Sequence, residues 1–325
     1  MGDIRPLTYR PIGPDSIRLF QINKHTKGVI SGRLEVFDLS QLPAYHNLGY
    51  CWSIQENTIP VEIDGEILCV SPNLGDGLKR LQDVAEENDK TFQSISWLWI
   101  DQLCINERDV KERSEQVQLM GSIYKRSVRT LIWLGNGSVS SSNAWLLIDQ
   151  IYAVFKRENP KAQTLADIPL KVYSDSEFAV SGLPDWAHPP WEELRNLLRI
   201  PWFTRIWVIQ EVALSPQDWI ILHDQNQYPW ERISWAAPWL RRNGHLRLAG
   251  IPNQLLNVDA MSCIRRSQSP WDLDALLCIQ MLKCWYGSLK DWRFWHPKLE
   301  SLIPHLPHRA EPSYKPQPTN FKQDY

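Results

Sequence analysis

Two acidic residues in apolar surroundings are the best candidates for chemistry in this sequence. Asp101 follows the apolar run at the start of "WLWIDQLCINE" (97–107), and Glu211 ends "WFTRIWVIQE" (202–211). Helical spacing sets Trp207 and Glu211 four residues apart, which predicts an indole beside the carboxylate. Such a neighbour excludes water and raises the pKa of a carboxylate, which suits acid–base or nucleophilic work on a glycosidic bond.

Both acids also have structural interpretations. A residue that follows a buried strand lies where open α/β sheets bind ligands, but Asp101 can equally accept hydrogen bonds from backbone amides in a turn. Glu211 can form a salt bridge with Arg205 or satisfy a helix end. Arg205 in turn can bind an acidic partner or a ligand phosphate, or only neutralise a carboxylate. The residues alone leave these alternatives open.

Charge and cysteine usage exclude several classes of function. Lys+Arg 35 against Asp+Glu 37 gives a net charge of −2, so nucleic acid and anionic membranes are not favoured partners. The six cysteines form no Cys-x-x-Cys pair and the eight histidines fit no zinc spacing, so we expect no metal site. No apolar export signal opens the chain, and the apolar stretch 144–155 is too short to span a bilayer. We therefore expect a soluble, cytoplasmic protein with reduced cysteines.

Strand signals dominate residues 17–70. Apolar or alternating runs occur at 17–22, 34–39, 46–54 and 61–70. The last run contains Asp64-Gly65, which is a strong β-hairpin signal. We predict a strand-rich N-terminal extension.

Helices and strands alternate after residue 70. An apolar helical stripe begins at Leu74, and the continuous apolar run 94–101 predicts a buried strand. Asp109 is the predicted cap of the charged helix that follows, and a strand at 129–138 precedes a helix at 143–158. This order predicts an α/β fold with a central, mostly parallel sheet flanked by helices.

Composition suggests four segments along the chain. We predict N-terminal strands packed on the core at 1–45, an α/β core at 46–245 with an irregular insertion at 159–190, a divergent helical segment at 246–295 and a disordered tail at 296–325.

Tryptophan is unusually frequent. The chain has 17 tryptophans, and 12 of them lie between Trp186 and Trp295. Large aromatic side chains usually pack inside, so we predict that most of them form core, with a contact surface as the alternative.

Three blocks together resemble a known family. They read "YHNLGYCWS" (45–53), "LWIDQLCINERDVKERSEQVQLMGSIYKRSVRTLIWLG" (98–135) and "IPWFTRIWVIQEVAL" (200–214). Their order and spacing resemble the heterokaryon-incompatibility (HET) domain of filamentous fungi, over roughly residues 5–225. Where the family usually reads Ser-Tyr-x-Trp-Gly, this chain has Gly49, Tyr50, Cys51, Trp52 and Ser53. Where the family usually reads Cys-Ile-Asn-Gln, Glu107 replaces the Gln. Both substitutions are at predicted turn positions.

The resemblance implies a cytoplasmic effector or signalling domain in fungal non-self recognition, linked to growth arrest and programmed cell death. HET domains are also distantly similar to Toll/interleukin-receptor domains, α/β modules that self-associate and in some cases cleave NAD. On that comparison Glu211 is the candidate catalytic acid. Trp52, Asp101, Arg205 and Trp207 are the candidate binding residues, and an enzymatic site requires that Asp101, Glu211, Arg205 and Trp52 meet in one cleft.

Three functional hypotheses follow. The first is a non-catalytic module that signals by assembly with protein partners or by self-association. The second, which the similarity to Toll/interleukin-receptor domains implies, is an NAD glycohydrolase that takes NAD as substrate. No glycine-rich nucleotide-cofactor motif is present. The third is an inactive or truncated gene product, because residues 269–292 do not match the family pattern.

Overall fold

The computed structural model describes residues 5–23, 29–52, 56–86, 97–171, 177, 180–205, 207–243 and 254–266. Its nine strands in these ranges follow the predicted apolar runs. They are β1 (Ser16–Ile22), β2 (Ile30–Asp38), β3 (Tyr45–Tyr50), β4 (Ile59–Ile63), β5 (Glu66–Val70), β6 (Trp97–Trp99), β7 (Arg129–Trp133), β8 (Ile220–His223) and β9 (Asn226–Pro229).

The helices of the described residues lie mostly between the later strands. They are α1 (Pro72–Glu86), α2 (Asp101–Cys104), α3 (Val110–Arg126), α4 (Val139–Glu158), α5 (Pro189–Leu198), α6 (Trp207–Leu214), α7 (Trp230–Asn243) and α8 (Gln254–Arg266). The predicted break at Pro201 is confirmed, because a 3-10 turn at Pro201–Thr204 separates α5 from α6.

All nine strands form one mixed sheet in the order β5-β4-β2-β1-β6-β3-β7-β8-β9. The prediction of an α/β fold is confirmed, but the prediction of a mostly parallel sheet is wrong. Four pairings are antiparallel, namely β1 with β2, β1 with β6, β4 with β5 and β8 with β9. Short hairpin connections impose antiparallel pairing at both ends of the sheet, and the continuous parallel part is its centre, β6-β3-β7-β8.

The N-terminal strands are part of this sheet. β1 lies between β2 and β6, and β4 pairs in parallel with β2. The predicted hairpin at Asp64-Gly65 is confirmed, since the two residues join β4 to β5 with positive φ angles of 51° and 84°.

Tryptophan packs largely in the interior, as predicted for those that the structure describes. The fully buried ones belong to both faces of the sheet and to the helices that cover them: Trp99, Trp133, Trp145, Trp191, Trp202, Trp219 and Trp239. Trp52 is an exception, with 45% of its surface exposed.

A buried ion pair fixes the connection between β6 and α3. Arg18 on β1 donates to Glu112 Oε1 at 2.6 Å and to Oε2 at 3.0 Å, with both side chains almost fully buried. Arg18 also donates to the carbonyl of Cys104, and Glu112 Oε1 accepts the backbone N–H of Asn106 at 2.8 Å. The predicted cap Asp109 is confirmed, because its carboxylate accepts the backbone amides of Lys111 and Glu112. Contacts from β1 and from the start of α3 therefore fix the segment 101–109, which connects β6 to α3.

The predicted helical segment 246–295 is described only at α8, and the predicted tail 296–325 lies outside the described residues. No helix in the described ranges has the length and apolar character needed to cross a membrane.

We predict that Glu112→Ala lowers the free energy of unfolding by about 3–5 kcal/mol, because it leaves the buried Arg18 guanidinium without its counter-charge. Chemical denaturation followed by circular dichroism measures the loss. Glu115→Ala on the same helix is the control, since the Glu115 carboxylate reaches Lys111 only at 3.9 Å on the surface. Equal losses in the two variants would contradict a structural role for the buried pair.

Candidate functional site

The carboxyl ends of β3 and β6 bring several predicted site residues to one edge of the sheet. The two strands pair in parallel, with Asn47 opposite Trp99, so the chain leaves both strands on the same side. Trp52 comes two residues after β3, and Asp101 two residues after β6. This is the edge at which parallel sheets commonly bind ligands.

Asp101 is a shared acceptor. Its Oδ1 accepts the Tyr50 hydroxyl at 2.9 Å and the backbone N–H of Gln102 at 2.8 Å. Its Oδ2 accepts the indole N–H of Trp52 at 2.9 Å. The carboxylate therefore orients Trp52, whose indole is otherwise largely exposed. The sequence left two roles open for Asp101, a ligand-binding acid and a hydrogen-bond acceptor in a turn. These contacts fit the hydrogen-bond acceptor.

Arg205 and Glu211 approach the same edge from the helical side. Arg205, just before α6, donates to the main-chain carbonyl of Tyr50 at the end of β3. Glu211 on α6 is 3% exposed, and its main-chain carbonyl accepts the hydroxyl of Thr130 on β7. Among the described residues, no direct ion pair holds the Glu211 carboxylate. Asp101, Trp52, Arg205 and Glu211 thus surround the end of one strand.

Gly49 lets the Glu211 carboxylate lie directly on β3. A Cβ atom at this position would be 2.3 Å from Glu211 Oε2 and 3.6 Å from the indole nitrogen of Trp202. Carbon and oxygen atoms cannot approach so closely without displacement. The absence of a side chain at residue 49 is therefore a condition for the position of the acid. The prediction that Gly49 lies in a turn is wrong, because the residue belongs to β3, whereas Glu107 does lie in a turn.

The environment raises the pKa of Glu211 to about 7. Burial is the main cause, because it disfavours the charged carboxylate. The positive charge of Arg205 lowers the pKa, and the negative charge of Asp101 raises it. A carboxyl group with a pKa near neutrality can change its protonation state under physiological conditions, which is the property that acid–base catalysis requires.

The tryptophan found beside this acid is Trp202. Its indole N–H is close enough to lower the pKa of Glu211, although the two groups do not meet the geometry of a regular hydrogen bond. Trp202 lies in the 3-10 turn that precedes α6. The predicted partner Trp207 begins α6, but its side chain lies outside the described residues.

Neighbouring titratable side chains are held in their neutral forms. Burial raises the pKa of the Cys51 thiol to about 11, with Arg205 acting in the opposite direction. Burial also raises the pKa of Tyr50 and of Tyr124 well above its ordinary value. Thiolate chemistry is therefore disfavoured at neutral pH, and Glu211 is the group here that titrates near pH 7.

Sequence reasoning missed Gly49, Tyr50, Tyr124 and Trp202 as members of the site. The signal for Gly49 and Tyr50 was their place in a family block, next to Trp52. No local pattern identifies Tyr124 or Trp202, because tertiary packing alone brings α3 and the 3-10 turn to this edge.

Trp52 is an exposed aromatic side chain at this edge of the sheet. Within the described ranges, no group of three His, Cys, Asp or Glu side chains could hold a metal ion. Trp52 offers an exposed indole face, which attracts planar cations, and the Asp101 carboxylate fixes its ring.

We predict that Gly49→Ala destabilises the protein by about 1–3 kcal/mol, because the added Cβ must displace the Glu211 carboxylate. Chemical denaturation measures the change. Gly121→Ala on α3 is the matched control, since a Cβ there meets only Leu214 at 3.7 Å, an ordinary contact. A loss in Gly49→Ala no larger than in this control would contradict the close approach.

We predict that Glu211→Gln changes the pH dependence of stability. The pKa of Glu211 is about 7 in the folded state against 4.5 as its ordinary value, so the folded protein binds more protons between these values. The stability of the wild type should fall by roughly 3 kcal/mol as the pH rises from 4.5 through 7, and this contribution should be missing in the variant. Denaturation curves of both proteins at pH 5 and pH 8 measure it. A stability difference between them that does not change with pH would refute the raised pKa.

Comparisons with known proteins support one family. A family model described as "Heterokaryon incompatibility protein (HET)" matches residues 45–211. The curated "Heterokaryon incompatibility protein 6, OR allele" of Neurospora crassa is 26% identical over 207 residues, which cover 54% of this chain. The match spans only 28% of that relative's length. No solved structure matches the chain. The family model covers just over half of the residues of this chain, including the ends of β3 and β6 and Glu211. The chain therefore belongs to the heterokaryon incompatibility (HET) family.

Proposed function

We propose that this chain is a cytoplasmic effector of fungal heterokaryon incompatibility that cleaves the N-glycosidic bond of NAD, with Glu211 as the catalytic carboxylate. The observation that carries the proposal is the buried Glu211 carboxyl group, which has a pKa of about 7 and lies against Gly49 beside Arg205 and Asp101. The family and the name of the relative support the role in incompatibility. NAD depletion would link this activity to growth arrest and programmed cell death.

The proposed reaction is a hydrolysis. The bond between C1′ of the ribose and N1 of nicotinamide breaks, and nicotinamide leaves with the bonding electron pair, which neutralises its ring nitrogen. The ribosyl group becomes cationic, and the ionised Glu211 carboxylate stabilises that charge. Water then bonds to C1′ and releases a proton, so the products are nicotinamide, ADP-ribose and one proton.

The other residues of the site have roles in this reaction that follow from their contacts. Trp52 stacks on the cationic nicotinamide ring, and Asp101 fixes the orientation of that indole. Arg205 lowers the pKa of Glu211 and thereby keeps part of it ionised at neutral pH. Its hydrogen bond to the carbonyl of Tyr50 also connects the start of α6 to the end of β3. The distant similarity of the chain to Toll/interleukin-receptor domains is also proposed, since some of those domains cleave NAD.

A second candidate function is signalling by assembly. A surface cavity of about 380 Å³ lies between α4 and the start of α5 and is lined by apolar residues that include Leu147, Leu183 and Pro190. Leu146 beside it is 58% exposed. Apolar exposure of this kind favours contact with a protein partner or a second copy. Catalysis and assembly are compatible, because the cavity does not involve the residues around Glu211.

We predict that the purified protein releases nicotinamide from millimolar NAD and that Glu211→Gln reduces the rate about 100-fold or more. Liquid chromatography of nicotinamide and ADP-ribose measures it. The wild-type rate should rise with pH and level off above about 7, because only the ionised carboxylate stabilises the cation.

Glu115→Gln is the control for this assay, since that carboxylate lies on the surface of α3. Circular dichroism establishes that Glu211→Gln is folded. If the variant keeps the wild-type rate, Glu211 is not the catalyst. If the wild type releases no nicotinamide but forms concentration-dependent oligomers in size-exclusion chromatography, the assembly function replaces the enzymatic one.

A further inference from the structure

Five buried polar atoms of Glu211 and its surroundings have no hydrogen-bond partner within the part of the chain that the structure describes. They are Oδ1 and Nδ2 of Asn47, Nε1 of Trp99, Nε1 of Trp202 and Oε2 of Glu211. Asn47 and Trp202 are fully buried, and Trp99 and Glu211 are 1% and 3% exposed.

The strand register places these atoms in one layer. Side chains alternate along a strand, so Asn47 projects from the same face of β3 as Gly49, against which the Glu211 carboxylate lies. Asn47 is opposite Trp99 on β6 and opposite Thr130 on β7. Thr130 in turn donates to the main chain of Glu211 at 3.4 Å. The layer lies on β3, β6 and β7, where α6 contributes Glu211 and Tyr124 of α3 packs edge-on against Trp99.

The energetics require something that both donates and accepts hydrogen bonds in this layer. A buried polar atom without a partner is costly in free energy, and five of them together would offset much of the stability of a domain. The two indole groups can only donate, whereas Asn47 Oδ1 and Glu211 Oε2 accept. Ordered water satisfies both kinds of group and is a normal constituent of polar, enclosed sites.

We propose that ordered water occupies this layer and that Asn47 positions the water molecule that completes hydrolysis at Glu211. The inference rests on the proposed function and adds the source of the nucleophile to it. Water held between the Asn47 amide and Glu211 Oε2 forms the new bond to C1′ of the ribosyl cation. Its proton passes to the Glu211 carboxylate and from there to solvent. Asn47 is a positioning residue, because it acts on the water and touches neither sugar nor nicotinamide.

The test compares hydrolysis with base exchange. Both reactions begin with cleavage of the same bond, but base exchange does not use water. A pyridine base such as 3-acetylpyridine can capture the ribosyl cation in place of water, which gives base exchange. Asn47→Leu removes both polar atoms at similar volume, and we expect it to lower hydrolysis about tenfold or more while base exchange and KM for NAD change little. Asn47→Ser retains a hydroxyl that can hold water and should recover part of the hydrolysis that Asn47→Ala, nearly equal in size, loses. A general structural defect would lower both reactions together.

A second measurement detects the water without catalysis. In protein with ¹⁵N-labelled tryptophan, we expect cross-relaxation between long-lived water and the indole N–H hydrogens of Trp99 and Trp202, assigned by Trp→Phe variants. Trp133 is the matched control, because it is equally buried but donates to the carbonyl of Asn73 at 2.9 Å. These cross-peaks should weaken at Trp99 in Asn47→Leu.

The outcomes separate the two proposals. Absence of nicotinamide release from the wild type overturns the proposed function and with it the role of Asn47 in hydrolysis. Release with an unchanged ratio of hydrolysis to base exchange in Asn47→Leu overturns the positioning role alone. Absence of water contacts at Trp99 and Trp202 overturns the occupied layer, whatever the activity.

Discussion

Parallel pairing of β3 with both β6 and β7 is the constraint on which the rest of the structure depends. It places the ends of three strands at one edge, so that residues far apart in sequence become neighbours. It also buries β3 on both faces, including its polar residues His46 and Asn47. The cost is visible at His46, where burial and the nearby Arg129 lower the pKa to about 4 and hold the imidazole neutral.

The contact between Gly49 and Glu211 connects that strand to the acid. Because residue 49 has no side chain, α6 can bring a carboxylate onto the backbone of β3, where burial raises its pKa. Arg205 then binds the carbonyl that follows on the same strand, at Tyr50. Position and protonation of the acid thus depend on one short piece of backbone.

Local patterns predicted the elements of this fold well and their arrangement less well. The hairpin at Asp64-Gly65, the cap at Asp109 and the break at Pro201 each have a local cause that is readable in a few residues. Alternation of apolar residues does not specify which strand is a neighbour, and for that reason the position of β1 between β2 and β6 and the mixed sheet were not foreseen. Trp52, Asp101, Arg205 and Glu211 lie around the end of β3, whereas the single cleft that an enzymatic site requires stays a prediction. Trp202 was missed because the 3-10 turn, rather than helical spacing, sets its position.

Asp101 and Glu211 are carboxylates at the same edge of the sheet, and their different surroundings give them different properties. The carboxylate of Asp101 accepts three hydrogen bonds, which fix its position. One of them orients Trp52, and another comes from the backbone N–H of Gln102 in α2. Glu211 has none of these partners among the described residues and is enclosed by indole and backbone, which leaves it free to titrate near neutrality. The fixed charge of Asp101 itself raises the pKa of Glu211, while Arg205 lowers it. The segment around Asp101, anchored by the buried pair of Arg18 and Glu112, therefore acts on the acid through position and charge rather than by contact.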